Sequence, residues 1–245
     1  MYNNVTASMV QESEQSRFMA RTYGWMALAL FISAASAFGT ATLLAAKLYG
    51  GANPRAAYQS VMLLFAVAAV AEIGLVWWLS AAIRRISVTT ASLGFVAYSV
   101  LNGVTLSTIF FAYEFTSIAY AFFATALTFG VMSVYGLKTK RNLMTMGRYL
   151  LMGLIGVIIA SLVQLVLSLI TRQPLYMLDL LISAATVVIF TGLTAYDSQK
   201  ILRTAQYADG SDAYKKVAIL GALELYLDFI NILLALLRLF GKRRS

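Results

Sequence analysis

Charged residues divide the 245-residue chain into seven long apolar stretches, and few folds accept that pattern. An α-helix rises about 1.5 Å per residue and needs about 20 mostly apolar residues to cross a bilayer. The stretches fall at about 23 to 46, 59 to 83, 88 to 112, 117 to 137, 148 to 170, 177 to 199 and 217 to 240. Charged residues make up 12% of the chain and hydrophobic residues 60%, where a soluble chain carries about 25% charged. The sequence therefore reads as an all-α integral membrane protein with seven transmembrane helices. The spans occupy 23–241, after a polar segment 1–22 and before a short basic tail 242–245. The connections are too short for a second soluble domain, so one bundle is expected. Because the polar segment leads straight into a full span, it is not expected to be a cleaved signal peptide.

Basic residues set the orientation expected. With the amino terminus in the cytoplasm, twelve of them, among them Arg17, Arg84, Lys138 and Lys200, fall inside, and Lys47, Arg55 and Arg172 fall outside. A seventh full span sends Arg238 and the tail outside against that rule, and a re-entrant last segment would return them. The full span is favoured, because its stretch is long enough to cross and the first helices usually dominate orientation.

The chain has no His and no Cys. That excludes zinc sites of the usual kind, a Cys nucleophile and a Ser-His-Asp triad. No lysine lies between Lys216 and Lys242, so the last span has no retinal anchor, and neither membrane aspartate motif has the GxGD pattern of an intramembrane protease. The expectation is a protein that is not an enzyme, binds no cofactor and does not bind nucleic acid.

Ionised groups near the bilayer centre cost several kcal/mol, so acids inside spans are candidates for function. Glu72 lies in the middle of the second stretch, Asp179 and Asp197 in the sixth, and Glu224 and Asp228 in the seventh. Asp179, near a span end, reads as a boundary residue. In the last stretch Glu224, Asp228, Asn231 and Arg238 fall within about 80° on a helical wheel, which points to a central helix with that face turned inward. With helix ends near Arg203 and Val217, Asp197 lies about 9 Å and Asp228 about 16 Å from the base of the last hairpin. If the two carboxylates meet they share a proton and titrate as a unit. Arg84 or Arg85, ending the second span, is placed to compensate them, or serves only as an anchor. Glu72 has no basic residue one turn away, which leaves Arg238 as a candidate partner. Ser99, Asn102, Gly103, Thr105 and Ser107 place small and polar groups inside the third span, more as glue between helices than as a pore lining.

TGLTAYDSQKI at 191–201 and ALELYLDFINILLALLRLFG at 222–241 resemble the signature of the Bax inhibitor-1 family. VLNGVTLSTIFFAY at 100–113 and RTYGWMALAL at 21–30 are similar to its other recurring segments. The resemblance implies seven helices with the last at the centre, and a pH-sensitive calcium leak. It makes Asp197 and Asp228 the pH-sensing dyad, Arg84 or Arg85 the base that interacts with them, and Glu72 with Arg238 an internal salt bridge; the two aspartates, once separated, are further expected to be transient Ca²⁺ ligands. Glu224, Asn231 and Asn102 are supporting polar residues, Ca²⁺ is the transported ion, and the bilayer is the environment, expected to be a bacterial inner membrane. The alternative is a regulator without transport whose partner is a membrane protease. One departure from the family pattern is the long connection QYADGSDAYKK between the last two spans, which affects how those helices register.

Overall fold

A computed structural model describes the backbone at 2–50, 54–173 and 175–244, and the side chains in those ranges except 2–10, 49–50 and 54–57. Arg55, used above in the charge reading, lies outside the described side chains. The helices are α1 (Tyr2–Gly50), α2 (Pro54–Ala82), α3 (Val88–Leu106), the short α4 (Ile109–Ala112), α5 (Phe115–Lys138), α6 (Met144–Thr171), α7 (Tyr176–Ala205) and α8 (Asp212–Phe240). Seven segments are long and apolar enough to cross a membrane, with α3 and α4 together forming the third. Large apolar side chains such as Ile155, Ile159, Leu162 and Ile170 stand exposed along α6. Lipid is the solvent that makes such a surface stable.

The chain forms two compact units, 1–112 with 205–226 and 244, and 113–204 with 227–243 and 245. In the first, α1 and α2 both pack on α3. Gly103 lets α1 and α3 approach closely, since a Cβ there would meet the Ser36 Cβ at 2.5 Å and the Ser33 carbonyl at 2.6 Å. Ser36 Oγ donates to the Val100 carbonyl across the same contact at 2.8 Å. The segment at 11–22, read as a polar lead-in, continues α1 without a break. Its polar side chains have work to do there: Gln11 donates to the Gln206 carbonyl at 2.6 Å, and the Phe18 ring meets Tyr214 edge-on. The connection they hold turns at Gly210, whose φ of +73° suits a residue without a side chain. Beside it Asp209 accepts from the Ser211 hydroxyl and amide, which holds its carboxyl below the usual range.

The third span, expected to be continuous from 88 to 112, is broken after Leu106. Ser107 Oγ bonds the Val104 carbonyl and Thr108 Oγ1 the Thr105 carbonyl, at 2.6 and 2.8 Å. Hydroxyls that take up nearby carbonyls compete with the helical ladder.

In the second unit, small residues again set the approach. A Cβ on Gly136 of α5 would strike the Ala195 carbonyl of α7, and one on Gly147 of α6 would strike the Tyr196 ring. At one end of this unit Gln199 and Arg203 of α7 bind the α5–α6 connection. At the other, Lys242 pairs with Glu114 at 2.8 Å, Tyr113 and Arg243 form an antiparallel bridge, and Arg243 lies over the Tyr176 ring. The ion pair raises the Lys242 pKa through the Glu114 hydrogen bond and charge. The tail therefore sits with the start of α5 and the start of α7, opposite the α5–α6 connection. An unbroken α8 of 29 residues ending there is long and apolar enough to cross fully, as a re-entrant segment would not need to be.

Two outcomes follow from these contacts. Gly103→Val lowers thermal stability by roughly 1–3 kcal/mol through overpacking, whereas Gly156→Val, with nothing near its Cβ position, leaves the melting temperature nearly unchanged. In the Cys-free chain, single cysteines from Asn142→Cys and Arg243→Cys react with an impermeant maleimide from opposite sides of the membrane; labelling from the same side would contradict the full span.

Candidate functional site

The last two long helices carry Asp197 and Asp228, and their relative register decides whether those acids meet. Phe190 and Leu193 of α7 pack with Ile232 of α8. Phe190 also lines a cavity of about 550 Å³ with Leu234, while Thr186, four residues earlier, lines it with Arg238, four residues later. The helices thus run antiparallel with Phe190 near the level of 232 to 234. Moving seven residues from Phe190 to Asp197 moves the level on α8 to about 225 to 227, within one turn, or roughly 5 Å, of Asp228. Asp197 follows Phe190 and Leu193 at spacings of seven and four, and Asp228 precedes Ile232 by four. Both carboxylates therefore lie on the faces through which the two helices pack.

Counting from assumed helix ends left a gap of about 7 Å between the two depths. With the observed ends, Ala205 and Asp212, the same count widens the gap to about 12 Å, so side-chain packing between the helices, not distance from their ends, sets the level. Asp197 and Asp228 are both buried, with 8% and 3% of their surfaces exposed. Lys200, one turn beyond Asp197, brings its ammonium to 4.0 Å from the carboxylate.

Gln199, two residues from Asp197, was not singled out by sequence reasoning. Its Oε1 accepts from the Leu143 amide at 2.8 Å and its Nε2 donates to the Arg141 carbonyl at 2.9 Å. Arg203 adds a bond to Asn142 Oδ1 at 2.8 Å. The AYDSQK segment thus uses Tyr196 to meet Gly147 and Gln199 to clamp the preceding connection, which fixes the helix that presents Asp197.

On α8, Asn231 is half-buried and lines the cavity, where its Nδ2 donates to the Leu227 carbonyl at 2.8 Å. Its oxygen is therefore the atom it can offer to a cation. Arg238 is exposed at the same cavity, and Glu224 is half-buried in the first half of the helix. Asp179, in the first turn of α7, accepts from Gln164 Nε2 at 3.4 Å. Among the described residues no group of three or more acids gathers as a metal centre.

The other membrane acid, Glu72, lies on the seam of α2 that also carries Val61, Ala68 and Leu79. Its partners are on α3: Asn102 Nδ2 to Oε2 at 3.1 Å and Thr105 Oγ1 to Oε1 at 2.8 Å. Asn102 Oδ1 in turn accepts from the Tyr226 hydroxyl at 2.7 Å, and Tyr226 is fully buried with its ring edge-on to Phe95 and Tyr98. Asn102 is thus the glue that the third span was expected to supply. Tyr226 sits inside the quoted ELYLDF string, yet a tyrosine among aromatics carried no separate signal. Arg84 and Arg85 are exposed in the turn after α2, where Lys216 Nζ donates to the carbonyls of Arg84 and Ile86 at 3.1 and 3.0 Å.

Known proteins resemble this chain over nearly its whole length. A family model described as inhibitor of apoptosis-promoting Bax1 matches residues 15–245. The inner membrane protein YbhL of Escherichia coli is 41% identical over 232 residues, covering 93% of this chain and 92% of YbhL. An uncharacterized protein of Borreliella burgdorferi is 41% identical over 242 residues, covering 97% of this chain and 98% of its own. One from Deinococcus radiodurans is 38% identical over 226 residues, covering 92% and 90% respectively.

The clamp has a measurable consequence. Gln199→Ala strands a buried amide and removes a partner from a carbonyl, lowering stability by about 1–3 kcal/mol. Gln199→Glu keeps the bond from the Leu143 amide but cannot donate to Arg141, so thermal unfolding followed by intrinsic fluorescence should place it between the wild type and Gln199→Ala.

Proposed function

Because the chain belongs to the Bax inhibitor-1 family of integral membrane proteins, we propose that it is a pH-sensitive calcium leak gated by Asp197 and Asp228. What supports the reading is the register of α7 against α8, which brings two buried carboxylates to nearly one level on facing sides. Two carboxylates that meet away from water hold one proton between them, because both cannot ionise cheaply. In the closed state that shared proton joins α7 to α8. Its loss or rearrangement sets like charges against each other across the helix contact and pushes them apart.

Separated, the carboxylates offer the hard oxygens that Ca²⁺ takes, with water, carbonyls and the Asn231 oxygen completing its shell. Two acids bind Ca²⁺ weakly, which suits an ion that must leave again. The positive-inside rule places the amino terminus and the α7–α8 connection in the cytoplasm. The relatives point to a bacterial inner membrane as the location.

The test is Ca²⁺ entry into dye-loaded proteoliposomes across roughly pH 6 to 8, where a coupled carboxylate pair can titrate. The wild type should leak in a pH-dependent way, and folded Asp197→Asn and Asp228→Asn variants should lose that dependence. Absence of flux at every pH from well-folded wild type would overturn the leak and favour a non-transporting regulator that acts on a membrane protease.

A further inference from the structure

The hydrogen bonds around Glu72 continue past Tyr226. The Tyr226 hydroxyl lies 2.6 Å from Ser33 Oγ of α1, and Ser33 Oγ lies 2.8 Å from the Ser99 carbonyl of α3. Four short contacts thus run in series, Glu72 to Asn102 to Tyr226 to Ser33 to the Ser99 carbonyl, through buried or half-buried groups of α2, α3, α8 and α1. We propose that Glu72 is a proton-binding site whose proton sets the direction in which this chain of hydrogen bonds runs.

Counting hydrogens gives the argument. A tyrosine and a serine hydroxyl each carry one hydrogen, an Asn amide donates from one end and accepts at the other, and a carbonyl only accepts. With Glu72 ionised, Asn102 donates to Glu72 and Tyr226 donates to Asn102, which leaves the single Ser33 hydrogen to serve two contacts, the Tyr226 hydroxyl and the Ser99 carbonyl. One of those two contacts then has no hydrogen. With a proton on Glu72 and Asn102 turned by half a rotation about its last torsion, Glu72 donates to Asn102, Asn102 to Tyr226, Tyr226 to Ser33, and Ser33 to the Ser99 carbonyl. Amide oxygen and nitrogen have nearly the same shape, so the half-turn keeps every heavy atom in place. All four contacts carry a hydrogen only in this protonated arrangement. Thr105 serves both states, because Glu72 Oε1 accepts its hydroxyl whichever way the chain runs.

Among the described residues, the spans of this unit carry few titratable groups besides Glu72. α1 has no titratable residue between Tyr23 and Lys47, and α2 has none but Glu72 between Tyr58 and Arg84. Tyr98 is the titratable residue of α3, and its ring meets that of Tyr226. On α8, Glu224 and Asp228 each lie two residues from Tyr226, about 200° round the helix and so on its far side, and Arg238 lies twelve residues, roughly 18 Å, further along the helix. The proposal is independent of the aspartate gate. Its effect is that losing the proton leaves Ser33 of α1 one hydrogen short between Tyr226 of α8 and the Ser99 carbonyl of α3.

The experiment follows two signals together in lipid nanodiscs over the pH range in which a carboxyl titrates. One is the infrared carbonyl band of a protonated carboxyl, assigned to Glu72 by its loss in Glu72→Gln. The other is the carbon-13 resonance of the Tyr226 Cζ, assigned by its loss in Tyr226→Phe. In the wild type both should move with one midpoint, and Glu72→Gln should abolish both changes. Asn102→Leu cuts the chain, so the carboxyl should still titrate while the Tyr226 resonance stops responding. Ser33→Ala provides a second, milder variant: it removes the acceptor that Tyr226 needs in the protonated state, and the midpoint should shift to lower pH. A wild-type carboxyl that never titrates, a Tyr226 response that persists in folded Asn102→Leu, or an unmoved midpoint in Ser33→Ala would each overturn the proposal.

Discussion

A polar group taken into hydrocarbon has no water to bond, and this constraint organises the chain's interior. Glu72 is met by Asn102 and Thr105, Asn102 by Tyr226, and Tyr226 by Ser33. The Ser99, Thr125, Thr186 and Thr194 hydroxyls turn back to carbonyls of their own helices. With these groups paired, apolar surface remains for lipid, and of the described hydroxyls Ser133, Ser183 and Thr191 are buried without a hydrogen-bond partner. α6 shows the other extreme, with Gly147 its one buried residue among those described and a largely aliphatic exterior.

The same constraint explains why α8 differs from the other spans. In its most apolar window 67% of residues are buried, against 44% in the next most buried span. A helix carrying Glu224, Asp228 and Asn231 is not stable against lipid, and burial all round resolves the conflict. α8 offers Tyr226 on one face and Asp228 on nearly the opposite one. One helix therefore serves two polar systems, the hydroxyl and amide chain in the first unit and the aspartates facing α7 in the second. Its two halves fall in different compact units.

Close packing of the backbone complements this polar pairing. Lipid gives apolar helices no hydrophobic reason to associate, so contact depends on shape and small residues. Gly103, Gly136 and Gly147 each leave room for a neighbouring serine, carbonyl or ring. The Gln199 clamp works beside two of them, holding the α5–α6 connection against α7. Asp197 is thus presented by a helix fixed through both shape and hydrogen bonds, as a pair of carboxylates needs if it is to respond to a single proton.

Much of this was legible in the residues. Seven apolar stretches between charges determined the number of helices, and Glu72, Asp197 and Asp228 stood out because an acid in an apolar run is costly. The AYDSQK and YLDFIN strings were enough to indicate the family. Facing and register were not legible, because both sides of these helices are apolar and periodicity carries little contrast when lipid replaces water as solvent. That Glu72 bonds an amide and a hydroxyl on α3 was likewise not legible. The break after Leu106 and the roles of Gln199, Tyr226 and Ser33 depended on which carbonyls and hydroxyls came within 3 Å. The sequence by itself determined that the protein crosses a membrane and which acids it carries there, since transfer energies add along a chain. Only the tertiary structure decided which acids share a level and which neighbours bond them, since that depends on helix rotation and depth relative to helices distant in sequence.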